Sequence, residues 1–286
     1  MFNWSSIMKF AEVNGQRREA QPRLSGNCPG CDSPMVARCG TKRVWHWAHL
    51  GERTCDVWWE NETEWHRAWK NQFPVEWQEI VHRAENGEKH IADVKTANGW
   101  VLEFQHSPIK PEERQARNDF YRQLIWVVDG TRRKSDAAQF NQALRKSLQT
   151  GGIVSGQPLV ARVSLDDCTL LQEWSKSRKL VFFDFGKYFL DSGKPVLWCI
   201  HPRCENGQTY VSLFPRSHFI EHHRGTTVQA SDGFENNLQA FNEIVLGCVN
   251  PAQAPKVQSP LPQLRTPRPL VGFERYLARQ RRGRRF

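Results

Sequence analysis

The chain has 286 residues, enough to bury a substantial core and to divide into more than one unit. Its 24% charged and 39% hydrophobic residues are those of an ordinary globular protein, and no apolar run approaches the roughly 18 residues of a membrane span. Net charge is +10, yet residues 251–286 hold nine Lys or Arg against one acid, so that segment carries +8 and the remainder only +2.

Residues 1–6 lack the basic and apolar character of a signal peptide, so the expected location is the cytoplasm. Eight cysteines stay reduced there and are available for metal. Residues 7–13 read as a strand turning at Asn14-Gly15, a strong hairpin dipeptide. Cys28-Pro29-Gly30-Cys31 follows, then a strand through 44–48. The two-residue gap lets both thiolates turn onto one ion, the spacing of a structural zinc site. Further ligands come from His46, His49, Cys55 or Cys39. On a strand His46 and His49 point to opposite faces, so one ion takes one of them. The favoured set is Cys28, Cys31, His49 and Cys55, with His46 as the substitute. Residues 1–58 thus form an N-terminal hairpin and zinc-knuckle module.

A helix over 61–73, with Asn61 as N-cap, places Glu62, His66 and Lys70 at four-residue steps on one face. Strands are expected at 75–81, 90–97 and 100–105, and a helix over 112–123 after a proline break. The apolar run 124–128 suits a buried strand. Nine of the twelve tryptophans lie between Trp45 and Trp126, so this stretch holds most of the large aromatic core. Asn98-Gly99 joins the second and third strands. Alternation then buries Trp100, Leu102 and Phe104 and presents Glu103 and Gln105 on the other face, where Asp93 lies beside Glu103. Adjacent carboxylates repel unless a cation or a proton sits between them, which points to a divalent-metal site. All-oxygen ligands favour magnesium or manganese over zinc.

A further helix is expected at 137–148, and Gly151-Gly152 marks a boundary. Residues 151–250 read as a β-rich region. It has a short helix around Leu170 to Trp174 and strands at 180–185, 195–201 and 209–214, the last two joined at Asn206-Gly207. No catalytic pattern emerges there. Residues 251–286, proline-rich and basic, read as a disordered tail.

The order of these motifs resembles the CoiA-like family of competence-associated nucleases, within the PD-(D/E)xK superfamily. The resemblance is carried by Cys28-Pro29-Gly30-Cys31, His46-Trp47-Ala48-His49, Cys55-Asp56 and Glu60-Asn61-Glu62-Thr63 with His66 and Lys70. Ile91-Ala92-Asp93-Val94, the run Glu103-Phe104-Gln105-His106-Ser107-Pro108 and the pair Arg117 and Tyr121 complete it. It covers residues 6–128 and implies an α/β chain whose residues 59–150 form a restriction-endonuclease-like α-β-β-β-α-β core. The implied catalytic set is Glu62, Asp93, Glu103 and Gln105, with His66 and Lys70 beside them. Asp93, Glu103 and the Phe104 carbonyl would hold magnesium. Gln105 stands where the wider superfamily has lysine. A neutral amide orients water but supplies no positive charge, and Lys70 or His66 is placed to compensate.

The expected function is a magnesium-dependent DNA nuclease serving DNA uptake, recombination or defence, on single- or double-stranded DNA without strong sequence preference. Arg114 and Arg117, on the helix after the site, and Arg281, Arg282, Arg284 and Arg285 in the tail are the candidate phosphate contacts. An acidic protein is the other partner class that the tail fits. The alternative is a nucleic-acid-binding adaptor of the same fold in which Gln105 leaves cleavage negligible.

Overall fold

The structure is a computed structural model that describes residues 7–51, 58, 62–85, 87–156, 158–186, 190–191, 193–225 and 228–249. It opens with six short strands: β1 (Ile7–Met8), β2 (Phe10–Val13), β3 (Gln16–Glu19), β4 (Ser25–Asn27), β5 (Pro34–Arg38) and β6 (His46–His49). They form one antiparallel sheet in the order β1-β6-β5-β4-β2-β3. The Asn14-Gly15 turn between β2 and β3 has φ of 52° and 73°, the left-handed pair that a tight hairpin requires. Met8, Ala11, Met35 and Trp47 fill a small core of their own under this sheet.

The rest of the chain is built on a second sheet. In order come α1 (Glu64–Lys70), β7 (Gln78–Arg83), β8 (Lys89–Lys95), β9 (Val101–Gln105), α2 (Pro111–Phe120), β10 (Leu124–Asp129) and α3 (Asp136–Gln149). Then follow β11 (Ile153–Gly156), β12 (Leu159–Ser164), α4 (Thr169–Trp174), β13 (Leu180–Asp184), β14 (Leu190–Asp191), β15 (Lys194–Glu205), β16 (Gln208–Pro215), α5 (Arg216–Arg224) and α6 (Val228–Val249). The sheet order is β11-β12-β16-β15-β13-β10-β9-β8-β7, with β14 pairing β15 at the side. The expected run of helix, three strands, helix and strand is present as α1, β7 to β9, α2 and β10.

Strands β9, β10 and β13 are parallel neighbours at the centre and buried on both faces, which is why β10 and β13 read as unbroken apolar runs. Trp126, Val128 and Phe183 face a core closed by α3 and α4. Ile125, Val127 and Phe182 face a core closed by α1, α5 and α6. Because β10 pairs with β13, residues on both sides of Gly151-Gly152 share one sheet. The region expected to be β-rich also contains two helices, α5 and α6, that the sequence reading does not anticipate. A signal for the second exists in Phe234, Leu238, Phe241 and Val245, spaced at four, three and four, which is helical spacing and lies on the second core. None of the described helices is long and apolar enough to cross a membrane. The tail, residues 251–286, lies outside the described residues, with Arg281, Arg282, Arg284 and Arg285.

Candidate active site and metal centre

The Cys28–Cys31 turn sits between β4 and β5. It is closed by Cys28 N–H donating to the Ser33 carbonyl (2.9 Å) and Asp32 N–H to the Cys28 carbonyl (2.8 Å). Asp32 takes a left-handed φ of 61° to complete it. β6 runs beside β5 and ends at His49, whose Nε2 lies 3.5 Å from Cys31 Sγ. Ligand atoms of Cys28, Cys31 and His49 all fall within 4.8 Å of one another. Burial raises the Cys31 thiol, but hydrogen bonds involving Ser33, His49 and Cys28 outweigh it and leave the pKa below its usual value. Two sulfurs and one imidazole are a donor set suited to structural zinc. Strand alternation separates the two histidines as expected: His46 is buried elsewhere, its Nδ1 donating to the Val44 carbonyl at 2.8 Å. Cys55, the expected fourth ligand, lies outside the described residues.

The second cluster forms where β8 and β9 part. The turn between them is not a two-residue loop on Asn98-Gly99. Thr96 N–H donates to the Trp100 carbonyl and Gly99 N–H to the Thr96 carbonyl, so Ala97, Asn98 and Gly99 make a three-residue loop with Gly99 at φ 82°. One residue of loop length sets the register. Val94 pairs with Leu102, and the next step along the hairpin sets Asp93 opposite Glu103. The ladder opens there. Asp93 Oδ2 accepts the Phe104 N–H at 2.9 Å, and Glu103 Oε1 lies 3.4 Å from the Asp93 nitrogen.

Helix α1 packs over this opening through Trp69, which stacks on Phe104 and donates to Asp184 Oδ2 at 2.8 Å. The helix starts later than expected, because the Thr63 hydroxyl accepts the His66 N–H and serves as N-cap. Glu62 therefore precedes the helix and does not share its face. Its carboxylate reaches the same place, 2.5 Å from Lys70 Nζ and 2.9 Å from Arg67 Nε. A groove of about 410 Å³ between residues 41–44 and 62–64 runs past it.

Lys70, buried, stands among three acids: Glu62, Glu79 at 2.8 Å and Asp93 at 4.0 Å. Burial opposes its charge, but Glu62, Glu79 and Asp93 together raise its pKa above the usual lysine value. Burial also raises the Glu62 carboxyl, yet Lys70, His66 and Arg67 bring it down to about 2. Asp93 differs. Burial lifts its pKa above the ordinary aspartate value, and Lys70, His66 and the Phe104 N–H only partly offset that.

Glu79 has no counterpart in the sequence reading. It holds a left-handed φ of 47°, strained for a non-glycine residue. Its carboxylate accepts the backbone N–H groups of Lys9 (2.8 Å) and Phe10 (3.0 Å) as well as Lys70. One residue thus ties the sheet that carries Cys28, Cys31 and His49 to the acidic cluster. A glutamate before Ile80 on an ordinary strand gives no such signal, since the contact spans about seventy residues.

The arginines expected to meet phosphate are engaged within the fold. Arg117 is buried against Glu103 (2.9 Å) and Glu113 (2.6 Å). Arg114 donates to the Glu173 carbonyl and lies over the Trp174 ring. Both guanidiniums are thus engaged by groups of the protein, Arg117 by two carboxylates and Arg114 by a backbone carbonyl and a tryptophan ring. Gln105 is also buried: its amide donates to the Ser107 carbonyl at 2.9 Å, and its Oε1 meets no donor among the described residues. His66 Nδ1 lies 3.2 Å from the Thr63 hydroxyl, and Tyr121 packs among Trp58, His82 and Phe120.

No curated protein and no solved structure matches the chain. Residues 16–58 match the family model for Competence protein CoiA, N-terminal domain. That segment carries Cys28, Cys31 and His49, and it is similar to the N-terminal domain of CoiA-like competence proteins.

Proposed function

We propose that this protein is a divalent-metal-dependent nuclease that hydrolyses DNA phosphodiester bonds in a competence-related role. The observation that carries the reading is the meeting of Asp93 and Glu103 where β8 and β9 part, with Lys70 of α1 4.0 Å from Asp93. Asp93 and Glu103 would hold magnesium or manganese. Two carboxylates plus water and substrate phosphate are the usual complement for magnesium, and the all-oxygen donors suit it. The ion, when bound, lowers the pKa of water and offsets charge on the scissile phosphate.

The protein's own groups have separable tasks in this reading. The Phe104 N–H fixes one Asp93 oxygen and so aims the other into the opening. Arg117 fixes one Glu103 oxygen in the same way. Lys70 supplies the fixed positive charge that Gln105 does not. Glu62 and Glu79 hold Lys70 in place and charged, so that it stabilises negative charge developing at the phosphate. The element order α1, β7 to β9, α2, β10 supports the reading, as does the family of the N-terminal module.

The test is purified protein with magnesium or manganese on single- and double-stranded, linear and circular DNA. Cleavage that needs the metal and disappears in Asp93→Asn is the expected result. Undiminished cleavage by that variant removes the site, and metal-independent DNA binding without turnover moves the protein to the adaptor reading.

A further inference from the structure

We infer that His106, oriented by Asp129, is the proton donor to the leaving oxygen in the reaction proposed above, on which this inference rests. Strands β9, β10 and β13 are parallel, so Gln105, Asp129 and Asp184 end together at one rim of the sheet. The carboxyl ends of parallel strands are where α/β sheets place ligands. His106 follows β9 directly, three residues beyond Glu103. Its Nδ1 lies 2.7 Å from Asp129 Oδ2.

The pair is built as an acid and its orienter. Asp129 is itself held: its other oxygen accepts the Thr131 N–H at 2.7 Å and the Thr131 hydroxyl at 2.6 Å. The Asp129 side chain is 3% exposed, whereas that of His106 is 35% exposed. A buried, fixed carboxylate therefore orients the ring through Nδ1 and leaves Nε2 for chemistry. Burial raises the Asp129 carboxyl, but the hydrogen bonds from His106 and Thr131 outweigh this and keep it ionised below the usual range.

Position relative to the acids follows from α1. The His106 ring lies 6.2 Å from the rings of both Trp65 and His66 on that helix. His66 in turn acts electrostatically on Glu62 and Asp93. His106 thus flanks the acidic opening from the rim side, across His66.

In the step proposed, water oxygen attacks phosphorus and forms a new P–O bond, its proton passing to solvent. The bond from phosphorus to the leaving sugar oxygen breaks, and that oxygen takes the Nε2 proton. The products are a hydroxyl end and a phosphomonoester end, and the imidazole recovers its proton from solvent.

The experiment uses full-length protein and oligonucleotides carrying one bridging sulfur, 3′-S in one set and 5′-S in the other. A thiolate departs without a proton. His106→Ala should cleave all-oxygen DNA about 10²-fold or more slowly, the usual weight of a general acid. It should cleave one of the two sulfur substrates at the wild-type rate, and the rescued set identifies the leaving oxygen. Asp129→Asn should show a smaller loss with the same rescue. If His106→Ala does not melt cooperatively, His106→Gln decides by the same readout. An equal loss on oxygen and both sulfur substrates, or no loss on oxygen, overturns the dyad alone. A wild type that cuts none of the substrates overturns the nuclease reading and the dyad with it.

Discussion

Replacing Lys70 with methionine, which keeps the length of the side chain, tests whether one buried cation organises the acidic cluster. Lys70 Nζ lies 2.5 Å from Glu62, 2.8 Å from Glu79 and 4.0 Å from Asp93, with its side chain 2% exposed. At an effective dielectric of 20 each such contact is worth ~4–7 kcal/mol before desolvation is counted. Desolvation cancels much of that, and breaking a buried pair costs ~3–5 kcal/mol in practice. The Glu62 carboxyl reflects the same interaction. Its carboxyl at about 2, against an ordinary 4.5, corresponds to roughly 3 kcal/mol. A depressed carboxylate contributes stability that is complete above pH 4.5 and is lost as pH falls toward 2. Wild-type stability should therefore be flat above pH 4.5 in this respect and fall below it. In Lys70→Met the acids face each other unpaired, although Arg67 still meets Glu62. The variant should be destabilised by ~3–5 kcal/mol at pH 7 and become more stable as pH drops from neutral, because its buried acids take up protons. Urea unfolding between pH 2 and 8 measures both. A variant as stable as wild type at pH 7, with the same acid limb, would falsify the ion-pair account.

Asp93→Asn should abolish cleavage with little change in melting temperature, whereas Asp93→Ala should also cost about 1–3 kcal/mol, because the Phe104 N–H is left without its acceptor. Elemental analysis should find one zinc per chain bound through Cys28, Cys31 and His49, and chelation or Cys28→Ser should lower the melting temperature. Glu79→Ala strands the Lys9 and Phe10 amides, so destabilisation by at least ~2 kcal/mol and faster hydrogen exchange at those two amides are expected. Truncation after residue 250 removes +8 of the charge and should reduce the log–log salt slope of duplex DNA binding by about 0.9 for each phosphate that the tail neutralises.

Local periodicity carries the elements between residues 59 and 150 because each strand and helix there is long enough to repeat its own pattern. The runs that form β10 and β13 are legible as buried strands for the same reason. Asp93 beside Glu103 is legible only as far as the turn residues go. A strict two-residue loop at Asn98-Gly99 would set Asp93 across from Phe104, and Ala97, as a third loop residue, moves it opposite Glu103. The cysteine pair of the candidate metal cluster emerges from spacing; alternation along β6 says only that one of His46 and His49 joins it, and the fold brings His49. Glu79, Asp129 and Asp184 are not legible. Each is a single acid at a strand start or end, and its partner, whether Lys9, His106 or Trp69, is set by tertiary packing and not by local sequence.

Presence of the acids does not by itself separate a nuclease from a binding protein of the same fold. On charge alone, a binding-only chain has no use for carboxylates that repel phosphate. The structure supplies one: Glu62 neutralises Lys70 and Arg67, Glu79 holds two backbone amides and Lys70, and Glu103 anchors Arg117. Those three acids have structural duties whether or not DNA is cut. Asp93 is the exception. Lys70 lies 4.0 Å from it, burial raises its pKa, and the backbone N–H that its carboxylate accepts can also be satisfied by an asparagine oxygen. Of the four acids, Asp93 is therefore the one whose negative charge the fold does not need, so a charge-only substitution there separates chemistry from stability. A glutamine at Glu62 or Glu103 mixes the two, since it leaves Lys70 or Arg117 buried beside a neutral partner.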